Sequence, residues 1–489
     1  MSKAKTRYDY LSKYRTTYLD TAYQCAQLTL PTLIRQDDEG GRSTHARLIT
    51  PWQSVGAKGV VTLASKLMLA LLPPQTSFFK LQIDDNKVGV DIPPEARSEL
   101  DLSFAKLERS VMEIIAASSD RVTVHQALKH LVVAGNALVY MGPKGLKLYP
   151  LNRYVVDRDG NGEVLEIVTK ERISRKLLQP ILNSALPVNP PGEDGAESDE
   201  DVDVYTWVRR DNNRFIWHQE VFDKVIPGSQ GKAPLEANPW LVLRFNVVDG
   251  EPFGRGRVEE FLGDLRSLEA LMQALVEGSA VAAKVVFTVS PSSTTKPQTL
   301  ASAGNGAIVQ GRPDDISVVQ VGKTADFKTA MEMAGVLERR LSEAFLILNV
   351  RDSERTTAEE VRMTQMELEQ QLGGLFSLLT VEFLVPYLNR KLSVLQKNAE
   401  IPKIPKDLVR PTIVAGINAL GRGQDRESLG QFFTVIAQTL GPEAIGTYMN
   451  IDEAIKRLAA AQGIDVLNLV KSMQEVQQEQ QQNMQQQQA

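Results

Sequence analysis

One cysteine and four histidines in 489 residues leave little material for a disulfide framework or a zinc site. Cys25 has no partner for an intrachain disulfide, and a reducing, intracellular compartment is the expectation. His125 and His130 fall on different faces of a helix and cannot chelate one metal together, while His45 and His218 have no second His or Cys at ligand spacing. The most apolar stretches, Leu63 to Leu72 and Leu375 to Leu384, fall short of the roughly 20 residues a bilayer span needs. Met1 to Tyr23 lacks the apolar core of a secretory signal, so a soluble protein with no membrane association is expected. An excess of basic charge is missing too. A net charge of −5 argues against a broad basic face that grips nucleic acid, but not against a wall that DNA slides past. Gly254-Arg255-Gly256-Arg257 lacks the third glycine of a phosphate loop, and there is no Gly-x-Ser-x-Gly elbow or Cys–His pair. These absences favour a structural or assembly role, without catalysis and without a cofactor.

What is present is ordinary globular material, 43% hydrophobic and 24% charged, enough for at least two modules. Apolar residues recur at helical spacing over Tyr8 to Leu28, Gly56 to Leu72, Pro94 to Ala117 and Val124 to Val139. Alternation predicts strands at Gly145 to Tyr154, Val164 to Thr169, Val204 to Arg209, Phe215 to Phe222 and Trp240 to Val247. A long helix follows, with Val258, Phe261, Leu262, Leu265, Leu268 and Met272 on one stripe. A β-rich insertion with strands at Val285 to Val289, Ala307 to Gln310 and Ile316 to Val321 then separates it from a second helix, Thr324 to Leu348. Thr357 with Glu360 is a capping box that opens a third helix, expected to bend at Gly373-Gly374 and at Pro386. Beyond Pro411 the chain reads as helical, ending in a Gln-rich tail. The fold class is α+β, mainly helical.

Three motifs invite chemistry, and each has a plainer reading. Asp157-Arg158-Asp159-Gly160-Asn161-Gly162 matches the start of a calcium loop, yet its twelfth position is Val168 where a bidentate Glu belongs, so a hairpin turn is the better account. Glu259, Glu260 and Asp264 could hold magnesium for a metal-dependent nucleic-acid enzyme, but acidic residues in a first helical turn complement the helix dipole, with Arg257 and Arg266 close by. Pro187 to Asp203, rich in Pro, Gly and carboxylates, reads as a solvated loop. The helices flanking the insertion mix Glu260, Asp264 and Arg266 with Lys328, Arg339 and Arg340, a wall that would contact a duplex weakly.

The order of several motifs resembles the portal, or head-to-tail connector, proteins of short-tailed, podovirus-type double-stranded DNA bacteriophages. The resemblance is carried by Thr50-Pro51-Trp52-Gln53-Ser54-Val55-Gly56, Leu131-Val132-Val133-Ala134-Gly135-Asn136, Leu262-Gly263-Asp264-Leu265-Arg266, Gly311-Arg312-Pro313-Asp314, Thr357-Ala358-Glu359-Glu360 and Gly421-Arg422-Gly423-Gln424-Asp425. It covers roughly residues 20 to 430 in order. The acidic loop, a short 349–357 segment and the tail beyond Pro442 depart from the family pattern.

The resemblance implies a dodecameric ring at a capsid vertex that conducts double-stranded DNA during packaging by the terminase and during ejection. It implies a wing (1–257 and 358–410), stem helices (258–283 and 324–348), a clip (284–323), a channel loop (349–357) and a crown with the tail (411–489). Arg351, Ser353, Arg355 and Thr356 would touch DNA in the channel loop. Lys284, Lys296, Arg312, Asp314 and Lys323 would meet the terminase and then the tail adaptor, and Glu260, Asp264, Arg266, Lys328, Arg339 and Arg340 would line the stem. Major capsid, scaffolding and internal core proteins are further implied partners. The expected location is the virion, after assembly in the host cytoplasm. A helical scaffold that never touches DNA is the other alternative.

Overall fold

The structure, a computed structural model, describes residues 3–36, 49–73, 77–83, 94–174, 178, 201–282, 286–292, 296–304, 307–310, 312, 314, 316–319, 324–347, 373–402, 409–413, 430, 432–439 and 441. Among the described residues four helices and ten strands precede the long helical region: α1 Ala4–Gln27, α2 Val55–Leu71, α3 Pro94–Ala117 and α4 Asp120–Ala134, with β1 Phe79–Ile83 and β2 to β10 between Asn136 and Arg244. The mixture is α+β, as the periodicity predicts.

The largest sheet orders β4 (Tyr154–Arg158), β5 (Val164–Ser174), β6 (Asp201–Asp211), β7 (Arg214–Val221) and β8 (Lys224–Val225), with β9 (Gly231–Pro234) also paired to β7. All these pairings are antiparallel, which one-residue alternation and tight turns favour. The Asp-Gly-Asn stretch makes the β4–β5 turn: Asp159 Oδ1 accepts the backbone N–H groups of Asn161 and Glu163 at 2.9 and 2.8 Å, so this carboxylate is spent on the turn.

Helix α1 lies across that sheet, burying Tyr8 and Leu11 against Val155, Val168, Tyr205 and Trp207. Its N-terminus is closed from outside the helix: the Ala4 N–H donates to the Glu220 carboxylate at 2.8 Å, placing negative charge at the positive end of the dipole. Arg15, buried, donates to the carbonyls of Leu151 and Tyr154 at 3.1 and 2.7 Å.

A second sheet, β10 (Trp240–Arg244), β2 (Asn136–Gly142) and β3 (Gly145–Tyr149), joins α2 and α4 in the main core. Gly135, at φ 72, ends α4 in the left-handed conformation typical of a helix stop, and β2 begins at the next residue. There the chain meets the segment 254–256 backbone to backbone. Asn136 fastens the crossing: its amide donates to the Ala134 and Gly254 carbonyls at 3.0 and 2.7 Å, and its carbonyl oxygen accepts the Gly254 N–H at 2.7 Å.

The long helix expected from Val258 is two helices, α5 Arg257–Glu260 and α6 Leu262–Ala282, broken at Phe261. The insertion carries β11 Val286–Val289 paired with β12 Ile316–Val319, and a short helix, α7 Pro297–Ala301. Ala307 to Gln310, expected as a strand, has no strand partner. Helix α8 spans Thr324–Ala344 and stops before the predicted Leu348.

From 373 the chain is helical and passes through a π-helical turn, Thr380–Leu384, into α9, Val385–Lys397. Gly373-Gly374 lies in regular helix, and among the described residues the distortion falls beside Pro386, whose missing N–H and ring the wider turn accommodates. The proposed capping box at Thr357 lies outside the described residues. Helix α9 is tied to the start of α4 through buried Asp120, whose Oδ2 accepts from the Tyr387 hydroxyl at 2.7 Å and Lys391 Nζ at 2.8 Å.

Helix does not resume directly beyond Pro411. Val409–Ile413 is a strand, β13, antiparallel to β1, with Leu81 opposite Pro411. Its partner is remote in sequence, and the local pattern carries no sign of it. This strand straddles the boundary drawn at 410/411.

Candidate nucleic-acid interface

Helices α6 and α8 form an antiparallel hairpin with the β insertion at its far end. Phe327 of α8 packs so closely on Gly278 of α6 that a Cβ at position 278 would lie 2.6 Å from its ring. At the other end Arg340 reaches Asp264 at 3.3 Å. The base of the hairpin joins the main core through Val258, Leu265, Leu268, Leu341 and Phe345, all buried. Further out the helices cover mainly each other and expose Val276, Met331, Met333 and Val336.

The Trp52-Gln53 segment has a physical role at this base. The Glu269 carboxylate of α6 accepts the backbone N–H groups of Trp52 and Gln53 at 2.8 and 3.3 Å. Gln53 in turn accepts the Gly56 N–H at 2.8 Å and donates to the Leu28 carbonyl at 2.7 Å. One carboxylate thus links the hairpin to the start of α2 and the end of α1.

The predicted wall residues are placed as follows. Glu260 pairs with Arg257 at 2.6 Å, as the spacing suggests. Asp264 pairs with Arg340 on the opposite helix, and Arg266 instead donates to the Gln24 side chain of α1. Arg339 donates to the Gly335 carbonyl at 3.3 Å, and Lys328 is exposed. Lys296, Arg312 and Asp314 of the insertion are exposed, and the structure does not bring them together by any hydrogen bond or ion pair among the described residues. Lys284, Lys323, Arg351, Ser353, Arg355 and Thr356 lie outside the described residues.

The carboxylates once considered for a magnesium site are each engaged with a cation. Arg255 holds Glu259 and Glu251, each at 2.7 Å, so that the Glu251 carboxyl is held below its usual range by its bond to Arg255. Among the described residues no group of three His, Cys, Asp or Glu side chains is arranged to hold a metal ion. His130 is buried and its imidazole is pushed down to about 4 by burial, with Arg153 and Lys129 adding to the effect, so it is neutral at pH 7. His125 instead approaches the Ser65 hydroxyl at 3.3 Å. Burial pushes the Cys25 thiol up to about 12, which leaves it unreactive. No described helix is long and apolar enough to cross a membrane.

A cluster that sequence reasoning missed fastens the hairpin's support to the sheets. Glu382, inside the π-helical turn, accepts from Arg244 three times: Nε and Nη2 to Oε1 at 2.8 and 2.6 Å, and the backbone N–H to Oε2 at 2.8 Å. Arg158 lies 4.0 Å from the same carboxylate and donates to the carbonyls of Gly162, Pro252 and Val242. Burial, and then repulsion from Arg244, lower Arg158 to about 10. An irregular helical turn next to Pro386 was the one available signal.

A long helical hairpin with a two-stranded β insertion is thus mounted on an α+β body. The family model of the bacteriophage head to tail connecting protein matches residues 1–468, and the chain belongs to this family. It is 40% identical over 487 residues to the portal protein of Escherichia phage T7, covering 97% of this chain and 89% of that one. The portal protein of Enterobacteria phage T3 is 40% identical over 479 residues, covering 96% and 88%, and that of Enterobacteria phage SP6 is 31% identical over 435 residues, covering 88% and 82%. Among solved structures, a chain from the neck of an empty gene transfer agent particle, computed with C6 symmetry, aligns at TM-score 0.36 and 12% identity, covering 77% of this chain and 86% of the other. The chain is a structural portal subunit of a phage capsid, and its place is the virion.

Proposed function

We propose that copies of this chain close into a ring whose central channel carries double-stranded DNA, inward under the terminase motor and outward through the tail. The observation that supports this most is the α6/α8 hairpin. It stands out from the body, carries charge of both signs on its exposed faces, and ends in a β insertion suited to docking. A wall of mixed sign holds few phosphates at once, so DNA passes without being trapped.

In this reading 1–257 and 358–410 form the wing, 258–283 and 324–348 the stem, 284–323 the clip, 349–357 the channel loop and 411–489 the crown. Lys284, Lys296, Arg312, Asp314 and Lys323 contact the terminase and the tail adaptor in turn. Glu260, Asp264, Arg266, Lys328, Arg339 and Arg340 line the stem. Arg351 and Arg355, with Ser353 and Thr356, touch DNA at the loop, and the subunit itself catalyses nothing. Twelve copies, with capsid and scaffolding proteins around them and internal core proteins above, complete the assembly in the host cytoplasm.

Replacing Arg351 and Arg355 together with alanine is expected to leave ring formation intact and to lower the fraction of particles that retain a full genome. Quantifying packaged DNA in purified particles checks this. Wild-type genome retention would remove the two arginines from the interface.

A further inference from the structure

Nothing in the local sequence stops α8 at Ala344. Ser342-Glu343-Ala344-Phe345-Leu346-Ile347 contains neither glycine nor proline, and its periodicity carries the helix on to Leu348. The structure instead turns the chain at Leu346, which adopts φ 56. A leucine in the left-handed region is strained, and such a residue persists only where its surroundings over-determine it.

Those surroundings are visible. The Ile347 N–H donates to the Ser342 carbonyl at 2.7 Å and the Leu346 N–H to the Glu343 carbonyl at 3.0 Å, the two bonds of a Schellman stop. Two cations from other elements take the carbonyls left over. Lys66 of α2 donates to the Leu346 carbonyl at 2.6 Å, and Arg257 of α5 donates to the Ala344 carbonyl at 3.4 and 3.2 Å through Nε and Nη2. Both also complement the negative end of the α8 dipole. Phe345, fully buried, is wedged against Gly59, where a Cβ would meet its ring at 2.6 Å, and lies 6.1 Å from Phe261. Burial depresses the Lys66 pKa, so its ammonium is partly stripped of water, which makes the carbonyl bond worth more to it.

We propose that Lys66 and Arg257 are positioning residues that set where α8 ends, and so the height and direction at which the chain leaves the hairpin toward 349–357. The inference rests on the reading of that segment as the channel loop. Without the two cations the Ala344 and Leu346 carbonyls lose their charged partners, and helix becomes the cheaper state for Phe345 to Leu348. Each residue added to a helix advances the exit by about 1.5 Å and turns it by about 100°. Four residues would move the departing chain by about 6 Å.

The test is cryo-electron microscopy of rings of the Lys66→Met/Arg257→Met variant beside wild type and Lys66→Arg, with packaged DNA measured in particles built from each. The double variant is expected to form rings in which α8 runs past Ala344 and to retain fewer full genomes, while Lys66→Arg keeps the wild-type stop and wild-type retention. Rings of the double variant with α8 still ending at Ala344 would overturn the positioning role whatever the DNA measurement gives. An extended α8 with wild-type DNA retention would keep the positioning role and sink the reading of 349–357 as the channel loop. If the double variant does not assemble, Lys66→Met alone is the readout. Failure of that variant too would make the clamp a folding requirement and end the proposal.

Discussion

Replacing Glu382 with alanine is expected to lower the stability of the subunit by about 3–5 kcal/mol, the usual cost of removing one partner of a buried ion pair. The side chains of Arg158, Arg244 and Glu382 are 5%, 9% and 11% exposed, so one carboxylate serves two guanidinium groups with little help from water. Alanine leaves the Arg244 guanidinium without its carboxylate partner and strands its backbone N–H, while Arg158 keeps its carbonyl bonds but loses a nearby opposite charge. Glu382→Gln keeps one acceptor oxygen, turns the other into an amide donor facing Arg244 and loses the charge, so it should fall between wild type and alanine. Urea denaturation of the three proteins at equal concentration checks the order. A midpoint for Glu382→Ala equal to that of wild type would show that the cluster contributes nothing.

The second large effect belongs to Gly135. Alanine there would adopt φ 72 at about 1–3 kcal/mol, and its Cβ would lie 2.5 Å from the Arg255 carbonyl carbon and from the Gly256 nitrogen. Neither backbone can yield easily, because Asn136 and the Phe245 N–H, which donates to the Gly135 carbonyl at 2.9 Å, hold the strands in place. The forced separation adds about another 1–3 kcal/mol. The same segment feeds directly into α5, so the fault would reach the base of the hairpin. Gly135→Ala is therefore expected to give little soluble protein, whereas Gly160→Ala, where a Cβ meets nothing within 4 Å, should express and melt like wild type. Comparable soluble yield and melting temperature for both variants would contradict the close-packed crossing.

These two sites mark the limit of what the sequence makes legible. Helices α1 to α4, most strands of the sheets and the hairpin with its insertion follow from period, turn residues and breakers, because those signals are local, although the helix expected to run to Val139 stops at Ala134 and Asn136–Gly142 is strand β2. The Gly135-Asn136 pair stood out only as part of a family pattern, and its reason, a backbone crossing with 254–256, is tertiary. Glu382 finds Arg244 across 138 residues, and no periodicity announces such a pair. The same blindness to distant partners made the end of β13 beyond Pro411 read as helix and let α8 run to Leu348, since the cations that stop it come from α2 and α5. At the interface, local spacing paired Glu260 with Arg257 correctly and misassigned Asp264, whose partner is on the other helix.

In the proposed assembly the hairpins of many copies enclose a passage. Native mass spectrometry of the purified chain, with electron microscopy of the same sample, tests it most directly. The expected result is a closed cyclic oligomer, twelve copies in the proposed reading, with a central hole bounded by α6 and α8. A persistent monomer, or an assembly in which the hairpins face outward and no hole exists, would contradict it.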